Sequence, residues 1–249
     1  MINKTIHYCW FGKNKKSTLA KKCINSWKKH CPSFNIIEWN EENFNIDLAP
    51  LYVRQAYEAK KWAFVSDYVR LWALINYGGV YMDTDVEVIK PIDCFLKYEA
   101  FSGFESNEYC PTGILGCCKE NKLFKEFLSE YEDIEFYKGD GEPNLTTNVE
   151  RITKKLKNYG FIGNNEFQII DGFAIFPKEY FCPKTPNEEK YEITNNTYTI
   201  HHFAGSWVSN KEKYNIKRNK RVNKVKQYIK RIIGENRYDI IKERISKKK

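Results

Sequence analysis

The stretch that decides the fold is GGVYMDTDVEV, residues 78–88, where a short apolar run ends in two aspartates separated by a threonine. Gly78 and Gly79 end a preceding helical pattern, and VYM has the composition of a short buried strand. Side chains alternate along a strand, so Asp83 and Asp85 are expected on the same side if the extended backbone continues between them. Two carboxylates in one small space need a cation, which predicts a divalent metal at the strand's carboxyl end.

Taken alone, the motif is better explained as two solvated aspartates in a turn. The residues before it change that interpretation. The helix predicted in KKWAFVSDYVRLWALINYGG, residues 60–79, places Asp67 and Arg70 three positions apart on one face. A surface ion pair is the alternative, but the surrounding positions are aromatic or aliphatic. An acceptor and a fixed cation beside the same strand end therefore favour a binding site.

Strand and helix patterns alternate along the chain as far as about Asn210, which predicts an α/β fold in one domain, residues 1–210. TIHYCWF from Thr5 and FNIIEW from Phe34 are predicted strands, and STLAKKCINSWKKH from Ser17 is a predicted helix with a serine N-cap. A length of 249 residues and a hydrophobic content of 42% are sufficient for a sizeable core. The cysteines form no CxxC pair, which predicts reduced thiols.

Positive charge is concentrated at the C-terminus. Residues 211–249 contain 16 Lys or Arg and 4 Asp or Glu, a balance of +12 within a total of +9, which leaves −3 for the residues before them. Val222, Val225 and Ile229 recur at helical spacing, so this tail is predicted to form a basic amphipathic helix on an anionic membrane surface. A terminal helix packed on the domain is the alternative. Without a signal peptide or membrane-spanning stretch, the sequence predicts a cytoplasmic protein, peripheral on the inner face of the membrane if the tail binds it.

A second polar stretch, HHFAGSW at residues 201–207, follows a predicted strand. Alternation sends His201 and His202 to opposite faces, so one of them at most is expected in a given site. An imidazole suits Mn²⁺ beside carboxylates, and Gly205 would let the backbone approach a diphosphate. A core histidine and a loop tryptophan explain the stretch equally well when it is taken alone.

In this order, IHYCWFG from Ile6, WAFVSDYVRL from Trp62, NYGGVYMDTDVEV from Asn76 and HHFAGSW up to Trp207 resemble the DXD sugar-transferase family. That family includes yeast outer-chain mannosyltransferases, bacterial capsule and lipopolysaccharide enzymes and, more distantly, the glucosylating domains of large clostridial toxins. The resemblance implies a GT-A fold, with a Rossmann-like nucleotide-binding sheet flanked by helices. It also implies a divalent metal, Mn²⁺ or Mg²⁺, between the aspartates and a nucleoside diphosphate sugar.

The resemblance implies roles for single residues on the donor side. Trp10 would stack on the donor base, for which a flat ring is suited. Asp67 and Arg70 match the SDxxR pattern of the family, whose groups hydrogen-bond the donor sugar or ribose and steady the leaving diphosphate. The further donor contacts implied are Tyr81, Gly205, Ser206 and Trp207.

For the metal, the resemblance implies Asp85 as a direct ligand, Asp83 as a ligand that also contacts ribose or donor sugar, and His202 as the C-terminal ligand. His202 is chosen over its neighbour because its spacing to Gly205 is that of related retaining enzymes. The family pattern is less clear after the predicted strand AFSGFE, where Asn107 and Thr112 are the acceptor-side candidates.

The activity implied is retaining transfer of a hexose from a nucleotide sugar to a glycan or lipid-linked glycan in surface polysaccharide synthesis. A UDP-sugar such as UDP-glucose or UDP-galactose is favoured, with GDP-mannose as the other donor. Front-face attack by the acceptor is implied, and a double displacement through Glu105 is the alternative. A haloacid-dehalogenase-like phosphatase also uses an Asp-x-Asp motif, but Glu87 stands where that class has Thr or Val. A third alternative is a non-enzymatic module in which the basic tail binds membrane or nucleic acid; nucleic acid is not expected as a partner of the enzyme.

Overall fold

A mixed sheet of seven strands forms the centre of the protein, of which the computed structural model describes residues 1–184 and 190–205. The strands are β1 (Thr5–Cys9), β2 (Asn35–Trp39), β3 (Gly79–Met82), β4 (Val86–Val88), β5 (Ala100–Gly103), β6 (Ile114–Cys117), β7 (Gln168–Ile170), β8 (Phe173–Phe176) and β9 (Thr199–His201). The α-helices are α1 (Thr18–His30), α2 (Leu51–Glu58), α3 (Trp62–Tyr77), α4 (Lys122–Ser129), α5 (Asn148–Lys157) and α6 (Lys178–Phe181). The α/β fold class predicted from the sequence is confirmed.

The order of strands in the sheet is β2-β1-β3-β6-β5-β8-β7, and β4 pairs with β9 in a separate two-stranded sheet. Strands β2, β1 and β3 are parallel, with Cys9 opposite Trp39 and His7 opposite Tyr81. The carboxyl ends of these three strands therefore share one edge of the sheet. In α/β sheets this is the edge at which ligands bind, and the chain places Trp10 and Asp83 directly after two of the strands.

Apolar side chains cover both faces of the sheet. On one face, α3 buries Val69 and Leu74 against Phe124 of α4 and Leu156 of α5. On the other face, α1 buries Trp27, which is fully enclosed. Each large side chain buried in this way stabilises the fold by roughly 1.5–3 kcal/mol. The sheet, with its ligand-binding edge, is therefore packed between two apolar layers.

The boundaries of the helices that flank the site follow local sequence signals. Ser17 caps α1, because its Oγ accepts a hydrogen bond of 3.1 Å from the Ala20 N–H. Helix α3 ends at Gly78, whose N–H donates to the Leu74 carbonyl at 2.8 Å. Gly78 has φ +66°, and an added Cβ would lie 2.8 Å from the Lys119 nitrogen, so this position requires glycine. The helix stop predicted from the glycine pair is confirmed.

The Asp-x-Asp motif lies in a turn, which corrects the expectation of a continuous strand. Strand β3 ends at Met82, and the Asp83 N–H donates to the Gly113 carbonyl at 2.8 Å. The Val86 N–H then donates to the Asp83 carbonyl at 2.9 Å, which closes a tight turn before β4. The chain turns here because β4 leaves the large sheet to pair with β9.

Residues Met1–Ala204 form one compact unit. The boundary predicted at residue 210 and the helix predicted over residues 211–249 lie outside the described residues, so both stay predictions. None of the helices in residues 1–184 and 190–205 is long and apolar enough to cross a membrane. The eight cysteines are free thiols, in agreement with the prediction.

Candidate active site

Two carboxylates and an imidazole meet where β3 ends and β4 pairs with β9. Asp83, Asp85 and His201 each direct one ligand atom into this space, and these atoms lie within 4.8 Å of one another. The antiparallel register places His201 opposite Val86, next to the second aspartate. His201 Nε2 lies 3.3 Å from Asp85 Oδ1, and the Ala204 N–H donates to Asp85 Oδ2 at 2.8 Å. A group of this composition can hold a divalent metal ion.

His202, which the resemblance assigned to the metal, lies on the other side of the strand. Its Nε2 is 2.8 Å from Glu87 Oε2, and its Nδ1 is 3.0 Å from the Tyr191 hydroxyl. Spacing along the sequence pointed to His202, but the pairing of β4 with β9 decides which imidazole faces the aspartates. The structure brings His201 to them, in the position expected of His202.

The Asp85–His201 pair carries opposite charges. Burial alone would raise the pKa of Asp85, but the imidazolium of His201 and the Ala204 N–H lower it to about 2. Burial alone would lower the pKa of His201, but the Asp85 carboxylate raises it well above its ordinary value. The Asp85 carboxylate thus favours the protonated form of His201, and a metal ion bound by this imidazole would displace its proton.

An arginine connects the Asp-x-Asp turn to α3. Arg70 Nη2 lies 3.0 Å from Asp67 Oδ1 and 3.2 Å from Asp83 Oδ1. The Tyr81 hydroxyl donates to the same Asp83 oxygen at 3.2 Å, and the Arg70 guanidinium lies 4.7 Å from the centre of the Tyr81 ring. Asp67 and Arg70 are both 7% exposed, which excludes a surface ion pair. The structure thus brings together four residues that the sequence nominated for the donor site.

Asn148 is a site residue that sequence reasoning missed. Its N–H donates to Asp67 Oδ2 at 3.0 Å, and its side-chain Nδ2 donates to the Asp67 carbonyl at 2.8 Å. Asn148 opens α5, whose N-cap is Thr147 in a capping box with Glu150. Burial raises the pKa of Asp67, while Arg70 and the Asn148 N–H oppose the rise. The TTNVE pattern predicts where α5 starts, but it does not predict that Asn148 contacts Asp67, 81 positions earlier in the chain.

Gly113 shapes the space between the two aspartates and the histidine. A Cβ at this position would lie 2.9 Å from Val86 Cγ2, 3.1 Å from Asp83 Oδ2 and 3.1 Å from His201 Cε1. All three distances are shorter than ordinary carbon contacts of about 3.5–4.0 Å. Only a residue without a side chain leaves room for this arrangement, and its position just before β6 is the only signal of that role in the sequence.

Two further predicted residues lie near the same part of the fold. Trp10 follows β1 at the ligand-binding edge, where its Nε1 donates to the Asn14 carbonyl at 2.7 Å and Lys16 Nζ lies 5.5 Å from its ring centre. Glu105 is half-buried, and burial raises its pKa to about 7, with Asp83 adding to the rise and His201 opposing it. The ligand contacts assigned to these two residues stay predictions.

Of the remaining predicted residues, the structure describes Asn107, Thr112 and Gly205. Asn107 is exposed, whereas Thr112 is buried and its hydroxyl has no hydrogen-bond partner in the described part of the chain. Gly205 has φ +54°, which favours glycine. Ser206 and Trp207 lie outside the described residues, and their roles stay predictions.

Residues 17–102 match the family described as "Glycosyltransferase sugar-binding region containing DXD motif". This matched stretch, about a third of the chain, carries the sequence pattern of the DXD glycosyltransferases. The matched residues include the Asp67–Arg70 pair and the whole Asp-x-Asp turn. The family resemblance inferred from the sequence motifs is confirmed.

Two curated proteins are similar to this chain over about half of its length. The human "Alpha-1,4-N-acetylglucosaminyltransferase" is 31% identical over 127 residues, which are 49% of this chain and 35% of that protein. "Inositol phosphoceramide mannosyltransferase 3" of Schizosaccharomyces pombe (strain 972 / ATCC 24843) is 27% identical over 126 residues, 47% of this chain and 34% of that protein. The chain thus spans about a third of the length of these relatives.

Among solved structures, the "PaToxG Glycosyltransferase" is similar with a TM-score of 0.50 and 20% identity, over 63% of this chain and 68% of that chain. At this level of identity the likeness concerns the fold. It identifies the mixed sheet with flanking helices as a GT-A fold, as the sequence motifs implied.

Proposed function

We propose that this protein is a DXD glycosyltransferase. It would move a hexose from a nucleoside diphosphate sugar to a glycan or lipid-linked glycan, with a divalent metal and with retention at the anomeric carbon. The observation that carries the proposal is the convergence of Asp83, Asp85 and His201 beside Arg70 at the ligand-binding edge. Anionic side chains alone would repel a diphosphate, so this arrangement suits a donor that arrives with a metal ion.

The residues present fit a divalent metal, because two carboxylate oxygens and one imidazole nitrogen can approach a common point. Gly113 leaves the space that a side chain would otherwise fill. An oxygen-rich site with one imidazole suits Mn²⁺ better than Mg²⁺, which prefers oxygen ligands and retains several waters. When bound there, such an ion would neutralise the charge that develops on the leaving diphosphate.

The protein's own groups orient the donor around this position. Arg70 already holds Asp67 and Asp83, so its fixed positive charge lies close to where a diphosphate would sit. Preorganised charge of this kind lowers the barrier because it needs no rearrangement as the glycosidic bond breaks. Asp67, fixed by Arg70 and Asn148, would accept hydrogen bonds from donor hydroxyls. Trp10 would stack on the base.

Retention follows in this proposal from attack on the face that the diphosphate leaves. The acceptor hydroxyl would pass its proton toward the leaving phosphate oxygen, so that no protein nucleophile is needed. Glu105 is the alternative nucleophile for a double displacement, and its raised pKa of about 7 means that half of it is protonated at neutral pH. In either route Arg70, together with a bound metal ion, would offset the charge that develops on the departing diphosphate.

The sugar, base and acceptor are the finer parts of the proposal. One relative is named for N-acetylglucosaminyl transfer and the other for mannosyl transfer to inositol phosphoceramide. We therefore propose a hexose or N-acetylhexosamine donor, with UDP-sugars favoured and GDP-mannose as the other candidate. A surface polysaccharide or its lipid-linked precursor is the proposed acceptor, and a cytoplasmic enzyme that meets the membrane would suit it.

The test is release of nucleoside diphosphate from a panel of UDP- and GDP-sugars in the presence of Mn²⁺. We expect release with at least one donor, loss of release on chelation, and a drop of at least 100-fold in Asp85→Ala, as estimated from loss of a direct metal ligand. Asp133→Ala is the matched control, because Asp133 is exposed on a loop away from the motif. No release from any donor, or full activity in Asp85→Ala, would contradict the proposal.

A further inference from the structure

Helix α1 and the loop before it contain several lysines and no acidic residues of their own; Glu38 pairs with Lys16 and Glu87 with Lys22 from other segments. From Lys13 to His30 the chain has seven lysines and neither Asp nor Glu. Of the six α-helices in the described residues, α1 is the one without an acidic residue. The rest of the domain must therefore carry a net negative charge, because residues 1–210 together sum to −3. Residues 13–30 thus carry an excess of positive charge within a domain whose remaining residues are acidic on balance.

The lysines of α1 share one face of the helix. Ala20, Cys23, Ile24 and Trp27 are buried against the sheet. The opposite face, here called the basic face, is exposed and consists of Lys21, Lys22, Asn25, Lys28 and Lys29. A helix of 13 residues is about 20 Å long, so the basic face extends over several lipid headgroups.

Most of this charge is not neutralised within the protein. Lys22 pairs with Glu87 at 2.8 Å. Within residues 1–184 and 190–205, Lys21, Lys28 and Lys29 form no ion pair. Lys155 of α5 differs, because it faces Glu126 and Glu130. The basic face therefore keeps a positive field that an external anion can use.

We propose that the basic face is a docking surface for an anionic phospholipid bilayer. The face offers several ammonium groups on flexible stems and no arginine fork or exposed aromatic ring, which suits a layer of headgroups better than nucleic acid. It also offers no exposed apolar side chain for insertion. Binding is thus electrostatic, reversible and weakened by salt.

The position of α1 gives this docking a consequence for the proposed function. Trp27 Nε1 donates to the Val86 carbonyl at 2.7 Å, and the Val88 N–H donates to Ser26 Oγ at 2.9 Å. Helix α1 is therefore fixed to β4, the strand that begins directly after Asp85. A bilayer on the basic face brings lipid-linked acceptors close to the Asp-x-Asp turn.

The experiment is co-sedimentation of the full chain with vesicles of phosphatidylcholine containing 30% phosphatidylglycerol, against vesicles of phosphatidylcholine alone, at about 50 mM and 500 mM salt. One variant carries Lys21→Gln, Lys28→Gln and Lys29→Gln. The matched control carries Lys122→Gln, Lys154→Gln and Lys157→Gln, which remove the same charge from exposed positions of α4 and α5. Both variants keep Lys22 and residues 211–249, so any contribution of the tail is common to them.

We expect the anionic vesicles to bind the wild type at low salt, with release at high salt. The α1 variant should bind about a hundredfold more weakly, as three lysines near a charged surface imply, and the control variant at least tenfold better than the α1 variant. Equal binding by the two variants, binding to neutral vesicles at the same level, or binding to a single-stranded oligonucleotide but not to vesicles would overturn the proposal. Thermal unfolding of each variant confirms that it is folded. The readout needs no nucleotide sugar, so it is independent of the proposed activity.

Discussion

Binding of Mn²⁺ to this protein should release a proton from His201. In the metal-free state the Asp85 carboxylate, 3.3 Å away, raises the pKa of His201 well above its ordinary value. An imidazole must be neutral to bind a metal, so the ion has to displace this proton. The pKa of Asp85 is already lowered to about 2, so this carboxylate has no proton to release at neutral pH.

The number of protons released per Mn²⁺ ion follows from the pKa shifts of His201 and Asp85. A group whose pKa lies well above neutrality binds close to one proton at pH 7, so His201 should release about one proton per ion. The apparent affinity should then rise about tenfold for each pH unit until the pKa of His201 is reached. Glu105, with a pKa raised to about 7, is half-protonated at that pH and can add up to about half a proton.

Isothermal calorimetry in buffers with different heats of ionisation measures this number directly. The wild type should release between about one and one and a half protons, and Glu105→Gln about one. His201→Gln should bind Mn²⁺ more weakly and lose the proton assigned to His201. His30→Gln is the matched control, because His30 ends α1 and lies outside the cluster. If the wild type releases no proton, or His201→Gln releases as many as the wild type, the released proton does not come from His201.

Three further predictions concern the same site. In metal-free protein, Asp85→Asn should lower the free energy of unfolding by about 2 kcal/mol between about pH 4 and 6.5. Below this range the stabilisation by Asp85 is lost as pH falls towards its lowered pKa of about 2, and above it the stabilisation by His201 is lost as pH rises through its raised pKa. Chemical denaturation of wild type and variant across this pH range measures the difference. A carboxyl group with a raised pKa destabilises the fold at any pH where the unfolded chain would ionise it. In chelator, the free energy of unfolding of Glu105→Gln should therefore rise relative to that of wild type by about 3 kcal/mol as pH increases from 4 to 8. A difference that does not depend on pH would contradict the raised pKa of Glu105. Gly113→Ala should weaken Mn²⁺ binding at least tenfold, whereas Gly139→Ala, whose Cβ meets nothing within 4 Å, should leave it unchanged; equal affinities of the two variants would argue against the proposed space.

Local sequence signals predicted the parts of the site that lie close together in the chain. The spacing of Asp67 and Arg70 placed them on one helix face, and the glycine pair marked the end of α3. The Asp-x-Asp motif was assigned to the carboxyl edge of the sheet, where it lies. These features depend on helical periodicity and on the polarity of parallel strands, which the sequence carries directly.

The site residues that the sequence did not predict depend on contacts between elements that are far apart in the chain. His201 faces the aspartates because β9 pairs with β4 in one register, and a shift by one residue would present His202 instead. Asn148 reaches Asp67 only because α5 packs beside α3. Position 113 needs a glycine because Asp83, Val86 and His201 approach it closely. No local pattern encodes such contacts, since each depends on where distant elements dock.

The most direct test of the account is calorimetric titration of UDP and GDP into the protein with Mn²⁺ and with chelator, in wild type and in Asp85→Ala. We expect at least one of the two nucleotides to bind only with Mn²⁺, and this binding to be lost in Asp85→Ala and retained in Asp133→Ala. Binding of equal strength in chelator, or undiminished Mn²⁺-dependent binding in Asp85→Ala, would contradict the claim that Asp83, Asp85 and His201 hold a metal for a nucleoside diphosphate.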